Sequence, residues 1–114
     1  MTAKVSDVLQ ELISELNPPK PICVAPETPI KTAIETMQAQ TIGCILVVKN
    51  DRVVGIFSER DLLIRIFGHD VDVEKPIDTV MTPEPECLSA DLPIAYALNR
   101  MDMGGYRHIP IIDE

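Results

Sequence analysis

Apolar residues recur at helical spacing over residues 5–16. Val8, Leu9, Leu12, Ile13 and Leu16 share one side, with Asp7, Glu11 and Glu15 elsewhere. Ser6 stands where an N-cap belongs, and Asn17-Pro18-Pro19 ends the pattern. Ile22-Cys23-Val24 is a short strand candidate. Thr28-Pro29 then opens a second helix, with threonine at the N-cap and proline at the first helical position, where its missing N–H costs nothing. Ile30, Ala33, Ile34 and Met37 form its buried stripe. Two runs rich in β-branched residues follow, at 44–48 and 53–57, and Lys49-Asn50-Asp51-Arg52 between them reads as a hairpin turn. A third helix is expected over 61–67, with Leu62, Leu63, Ile66 and Phe67 apolar and Gly68 suited to the position just past its end. Residues 69–75 form a polar connector.

The same pattern then begins again. Cys23 and Cys87 lie 64 residues apart, and at that offset the two halves align without a gap. Pro19, Pro21 and Cys23 meet Pro83, Pro85 and Cys87. Pro29 and Ile30 meet Pro93 and Ile94, and Ala33, Ile34 and Met37 meet Ala97, Leu98 and Met101. Ile45, Val47 and Val48 meet Ile109, Ile111 and Ile112. Upstream, residues 6–9 are matched with Ile77-Asp78-Thr79-Val80-Met81. The matched positions are stripe residues and element starts, so each half is expected to be a βαββα-type unit of an α/β (α+β) fold. Glu114 aligns with Asn50, which puts the counterparts of 53–57, Ser58 and Asp61 beyond the last residue. A strand over 108–112 would then have an uncovered edge, and either a truncated chain or a covering partner molecule is expected.

The expected organisation is a helix over 1–18 leading into the first repeat, a first repeat with its connector over 19–75, and an incomplete second repeat over 76–114. Composition narrows the function. A formal net charge of −8 with no block of lysine or arginine argues against nucleic acid and anionic lipid as partners. The strongest apolar run, residues 42–48, is too short to cross a bilayer, and no signal peptide is visible. Cys23, Cys44 and Cys87 form no metal spacing and read as buried free thiols of a cytoplasmic protein.

The chemistry concentrates at one junction. The apolar run ends at Ser58, and Asp61 follows as a helical pattern begins. Side-chain oxygens and free helix N–H groups therefore gather at one strand end, where a small polar ligand could be held. The same four residues are also a plain helix start resembling a capping box, although that motif prefers Glu or Gln in the aspartate's place. Both readings stand on the residues alone. Arg107 and His108 precede an apolar strand, either as surface charges or as groups facing a phosphate, for which arginine is the better suited. Gly104-Gly105 reads as a helix stop and lacks the spacing of a phosphate loop.

The start Pro29-x-x-x-Ala33-x-x-x-Met37, the strand Gly43-Cys44-Ile45-Leu46-Val47-Val48 and the signature Val54-Gly55-Ile56-Phe57-Ser58-Glu59-Arg60-Asp61-Leu62 resemble the cystathionine-β-synthase (CBS) domain family in its usual tandem pair. Val80-Met81-Thr82 is similar to the opening of a second copy. The resemblance implies two repeats related by a pseudo-twofold axis, with a cleft that takes AMP, ADP, ATP or S-adenosylmethionine as a regulatory ligand and no required cofactor. It further implies a homodimer that regulates an associated, unidentified enzyme or transporter. Position by position, Ser58 and Asp61 match the ribose-contacting hydroxyl and carboxylate, and Ile56 matches an apolar position beside the base. Arg107 and His108 match positions where other members meet phosphate; their first-repeat equivalents, Gly43 and Cys44, cannot.

The rival expectation is a ligand-free dimerisation or protein-interaction module with a vestigial cleft. A third is a redox sensor using Cys23 and Cys87. No nucleophile–base pair or metal cluster stands out, so catalysis by this chain is not expected.

Overall fold

The computed structural model describes residues 10–112. The expected helix start at Ser6, with Val8 and Leu9, lies outside them. From the described residues on, the order is a 3₁₀ turn (Ile13–Leu16), β1 (Cys23–Val24), α1 (Ile30–Gln40), β2 (Cys44–Lys49), β3 (Arg52–Ser58) and α2 (Glu59–Asp61). A second 3₁₀ turn (Ile77–Thr79), β4 (Thr82–Pro83), β5 (Leu88–Ser89), α3 (Ile94–Gly104) and β6 (Ile111–Ile112) complete it. This is a mixed α+β fold, and its backbone forms two compact units, residues 21–85 and residues 1–20 with 86–114.

In the first unit the sheet runs β1-β2-β3-β4, with β1 parallel to β2 and the other pairs antiparallel. The hairpin turn is the two-residue Asn50-Asp51, whose φ values of 52° and 62° are those of a tight turn matched to strand twist. Alternation sends Ile45, Val47 and Phe57 to the helix side, where they pack with Ile30, Ala33, Met37, Ile77 and Val80. Phe57, Ile30, Ile45 and Val47 are fully buried, each stabilising the fold by about 1.5–3 kcal/mol. Leu46 and its cross-strand partner Ile56 alternate to the other face and are also buried.

Three expectations change in the described backbone. The N-terminal helix, where it can be seen, is the 3₁₀ turn Ile13–Leu16 preceded by a bridge between Leu12 and Pro93. Thr28 does not cap α1. Pro29 occupies the cap position without a side-chain bond, and the first free N–H groups, of Ile30 and Lys31, donate to the carbonyls of Lys75 and Val73 at 2.9 Å each. The connector therefore caps the helix that the threonine was expected to start. The third helix has one α turn, then widens to a π-type turn over Leu62–Ile66 closed by Phe67 N–H to Leu62 O at 2.8 Å. Leu63, Ile64 and Phe67 stay exposed, because the wider turn does not bring the whole expected stripe onto the sheet.

The segment expected to lead into the first repeat is hydrogen-bonded to residues of the second unit's sequence. Ile13 N–H donates to Leu92 O at 2.8 Å, Ser14 N–H to Ala90 O at 2.9 Å and Ile94 N–H to Glu11 O at 2.9 Å. In the first unit, Ile77 donates to Thr28 at 2.7 Å, Asp78 to Pro26 at 3.3 Å and Ile30 to Lys75 at 2.9 Å. Each bond of one set is the other shifted by the 64-residue repeat offset. The counterpart of Ile77–Thr79 is thus Ile13–Leu16 rather than residues 6–9, and each repeat is closed by the segment preceding the other. Only Ile111–Ile112 of the expected 108–112 strand pairs, parallel with β5.

Candidate functional site

β3 ends at Ser58, whose extended backbone (φ −119°, ψ 171°) turns the chain into α2. Asp61 is 6% exposed, the one buried charged residue among those described. Such a group must be fully bonded to be tolerated there. Its Oδ2 accepts from Ser58 N–H at 2.9 Å and from Ser58 Oγ at 3.0 Å, while Ser58 Oγ takes Asp61 N–H at 3.4 Å. That is a complete capping box with aspartate in the usual glutamate position. The shorter side chain serves because it binds the serine's hydroxyl as well as its amide.

Its other oxygen, Oδ1, is engaged by residues beyond the junction. Thr82 Oγ1 donates to Asp61 Oδ1 at 2.8 Å, and Arg65 Nε stands 3.7 Å from the same oxygen. Thr82 is brought there by β4, where it pairs opposite Ile56. Arg65, one helical turn beyond Asp61, also donates from NH1 to the carbonyls of Val80 and Met81 at 3.2 and 2.6 Å. One carboxylate therefore ties the strand end, the helix start and residues 80–82 together. Gly55 allows this approach: a Cβ there would collide with Met81 Sδ.

Ser58, Asp61 and Ile56 are thus brought together by β3 and β4, with Ile56 buried beside Thr82 in the ladder. Arg107 and His108 lie in the other unit, exposed, in the irregular stretch before β6. Gly43 and Cys44, their first-repeat equivalents, sit at the start of β2, where Gly43 O accepts Glu59 N–H at 3.0 Å and Cys44 pairs with Ser58. Sequence reasoning missed Thr82 and Arg65 as partners of Asp61. Arg65 had a local signal, the i,i+4 spacing of an acid and a base on a helix. Thr82 had none, since only the sheet joins it to Asp61.

Elsewhere in the second unit, Arg100 Nε donates to Glu86 Oε2 at 2.7 Å, and this bond and the charge beside it raise the guanidinium's pKa further. Burial pushes the Cys44 thiol up; burial and then the Glu86 carboxylate do the same for Cys87. An open depression of about 470 Å³ is lined by Met37, Gln38, Thr41, Glu59 and Leu62 among others, and Asp61 does not border it. Among the described residues no group of side chains could hold a metal ion, and no helix is long and apolar enough to cross a membrane.

A family model for the CBS domain matches residues 5–68 and 77–114. A CBS domain-containing protein of Arabidopsis thaliana is 33% identical over 92 residues, 80% of this chain but 16% of its own length. The chain thus spans about a sixth of that relative. An uncharacterized 17.7 kDa protein of Acidianus ambivalens is 32% identical over 101 residues, 88% of this chain and 60% of its own. Among solved structures, a CBS domain protein from Pyrobaculum aerophilum complexed with AMP superposes with a TM-score of 0.83 at 21% identity, covering 91% of this chain and 80% of that one. A CBS domain pair in complex with 5′-methylthioadenosine and S-adenosyl-L-methionine gives a TM-score of 0.79 at 19% identity, covering 91% and 82%. At these identities the likeness establishes the fold.

Proposed function

The chain belongs to the CBS domain family, and on that footing we propose that it is a regulatory module binding an adenosine-containing ligand. The ligand class is AMP, ADP, ATP or S-adenosylmethionine, and the module modulates an associated enzyme or transporter rather than catalysing a reaction. Solved proteins of the same fold carry AMP, or 5′-methylthioadenosine and S-adenosyl-L-methionine, which supports the class. The observation that carries the reading is the Ser58–Asp61 junction, an ionisable side chain at a strand end, at the positions where the family's ribose-contacting residues stand. An aspartate accepting from two ribose hydroxyls makes charge-assisted bonds. Ile56 gives the neighbouring apolar surface for the base; Arg107 and His108, exposed in the other unit, are proposed phosphate contacts in their own right. The module works as a cytoplasmic homodimer.

Regulation requires that the ligand favour one arrangement of the protein over another. Binding also stabilises the folded state by mass action. A ligand at about ten times its Kd adds about 1.4 kcal/mol, which raises the melting temperature of a domain this size by about 5 °C. A thermal-shift series with AMP, ATP and S-adenosylmethionine reads this directly; no shift with any of them at millimolar concentration would sink the proposal.

One observation favours the rival reading, a ligand-free interaction module. The Asp61 oxygens already have internal partners, as a purely structural cap would. That reading predicts no thermal shift and an unchanged oligomer with or without nucleotide.

A further inference from the structure

Asp61 is short of free acceptor positions. A carboxylate offers about four lone-pair sites. Ser58 takes two at Oδ2 through its amide and its hydroxyl. Thr82 takes one at Oδ1, and Arg65 flanks the same oxygen at 3.7 Å. A vicinal diol needs two acceptors, so one internal bond has to open. The Ser58 bonds are made by the backbone and the side chain of one helix-cap residue, and losing them would leave the helix start unsatisfied. The Thr82 bond is a single contact from a half-buried side chain that can turn about one torsion. Thr82 is the member that yields.

We propose that the Thr82 hydroxyl is a built-in competitor for Asp61, holding the place of a ligand hydroxyl until a diol displaces it. The inference rests on the adenosine-ligand reading above. Its consequence is directional. Thr82 belongs to β4, which is held to β3 only opposite Gly55 and Ile56, with Glu84 N–H bonded to Val54 O at 3.0 Å. Loss of the Asp61 bond removes the side-chain tie of this short strand. Arg65 still grips the carbonyls of Val80 and Met81. Ligand capture at Asp61 is thereby converted into loosening of residues 82–84, the stretch that leads out of the first unit.

The test compares the full chain with Thr82→Val, which keeps the shape and removes the donor, and with Thr82→Ser, which keeps the donor. Calorimetric titrations use AMP and S-adenosylmethionine, and hydrogen exchange of the unliganded proteins reads the Glu84 amide. Thr82→Val should bind about five- to tenfold more tightly, the loss of one competing hydrogen bond, and exchange faster at Glu84. Thr82→Ser should match the parent in both. Equal or weaker binding by Thr82→Val, with the parent binding normally, overturns the competitor and leaves the ligand reading standing. No binding by the parent overturns both. Should Thr82→Val melt below the assay temperature, Thr82→Ala carries the same expectation.

Discussion

Ile13 N–H donates to the carbonyl of Leu92 at 2.8 Å, and 64 residues later Ile77 N–H donates to Thr28 at 2.7 Å. Both isoleucines are buried, at 4% and 0% exposure. The pair defines how the two repeats are closed: each receives its last piece from the chain that precedes its twin.

That exchange has a measurable signature. Ile13→Ala and Ile77→Ala should each cost about 2–4 kcal/mol, as truncation of a buried isoleucine does. Hydrogen exchange should separate them. Ile13→Ala should loosen residues 86–112, and Ile77→Ala residues 21–85. Loosening of residues 21–35 by Ile13→Ala would contradict the assignment.

The repeat itself was legible in the sequence because matched residues such as Pro29 and Pro93, or Ile30 and Ile94, hold equivalent places: each proline precedes a helix and each isoleucine is buried. The hairpin at Asn50-Asp51 was legible for a local reason, its turn chemistry. The exchange was not, since nothing in Leu12-Ile13 says which proline-led helix start it will pair with. The missing Thr28 cap has the same origin. Its work is done by Val73 and Lys75, residues that local pattern assigns to a featureless connector. At the site, Ser58 and Asp61 stood out, whereas Thr82 reaches Asp61 only through the β3–β4 ladder.

Asp61→Ala should destabilise the fold by about 2–4 kcal/mol in urea. The change leaves the Ser58 amide and hydroxyl, Thr82 Oγ1 and the Arg65 guanidinium without their shared acceptor. A loss under about 0.5 kcal/mol would mean that the carboxylate does not carry the junction.

Gly55→Ala should cost about 1–3 kcal/mol, because the added methyl meets Met81 Sδ. Met81→Ala in the same chain should recover much of that loss. Additive effects in the double-mutant cycle would show that the two residues do not share this space.

The cysteines should react in order. Cys23 is exposed, whereas burial raises the pKa of Cys44 and, with Glu86, that of Cys87. Iodoacetamide at pH 8 should label Cys23 first, with the other two lagging by the opening of the fold. The shifts also fix a sign. Folding raises both thiol pKa values, so the unfolded chain ionises first. The neutral thiols' contribution is whole below the ordinary value of 9.0 and is lost as pH rises through the folded values.

The central claim is that Asp61 captures the ribose of an adenosine ligand. Titration of AMP and S-adenosylmethionine into the parent chain and into Asp61→Asn, each checked for folding by its melting curve, tests it most directly. The account predicts saturable binding of at least one of them to the parent and a loss of about tenfold or more in folded Asp61→Asn. Absence of binding at millimolar ligand, or equal binding by the two proteins, would contradict it.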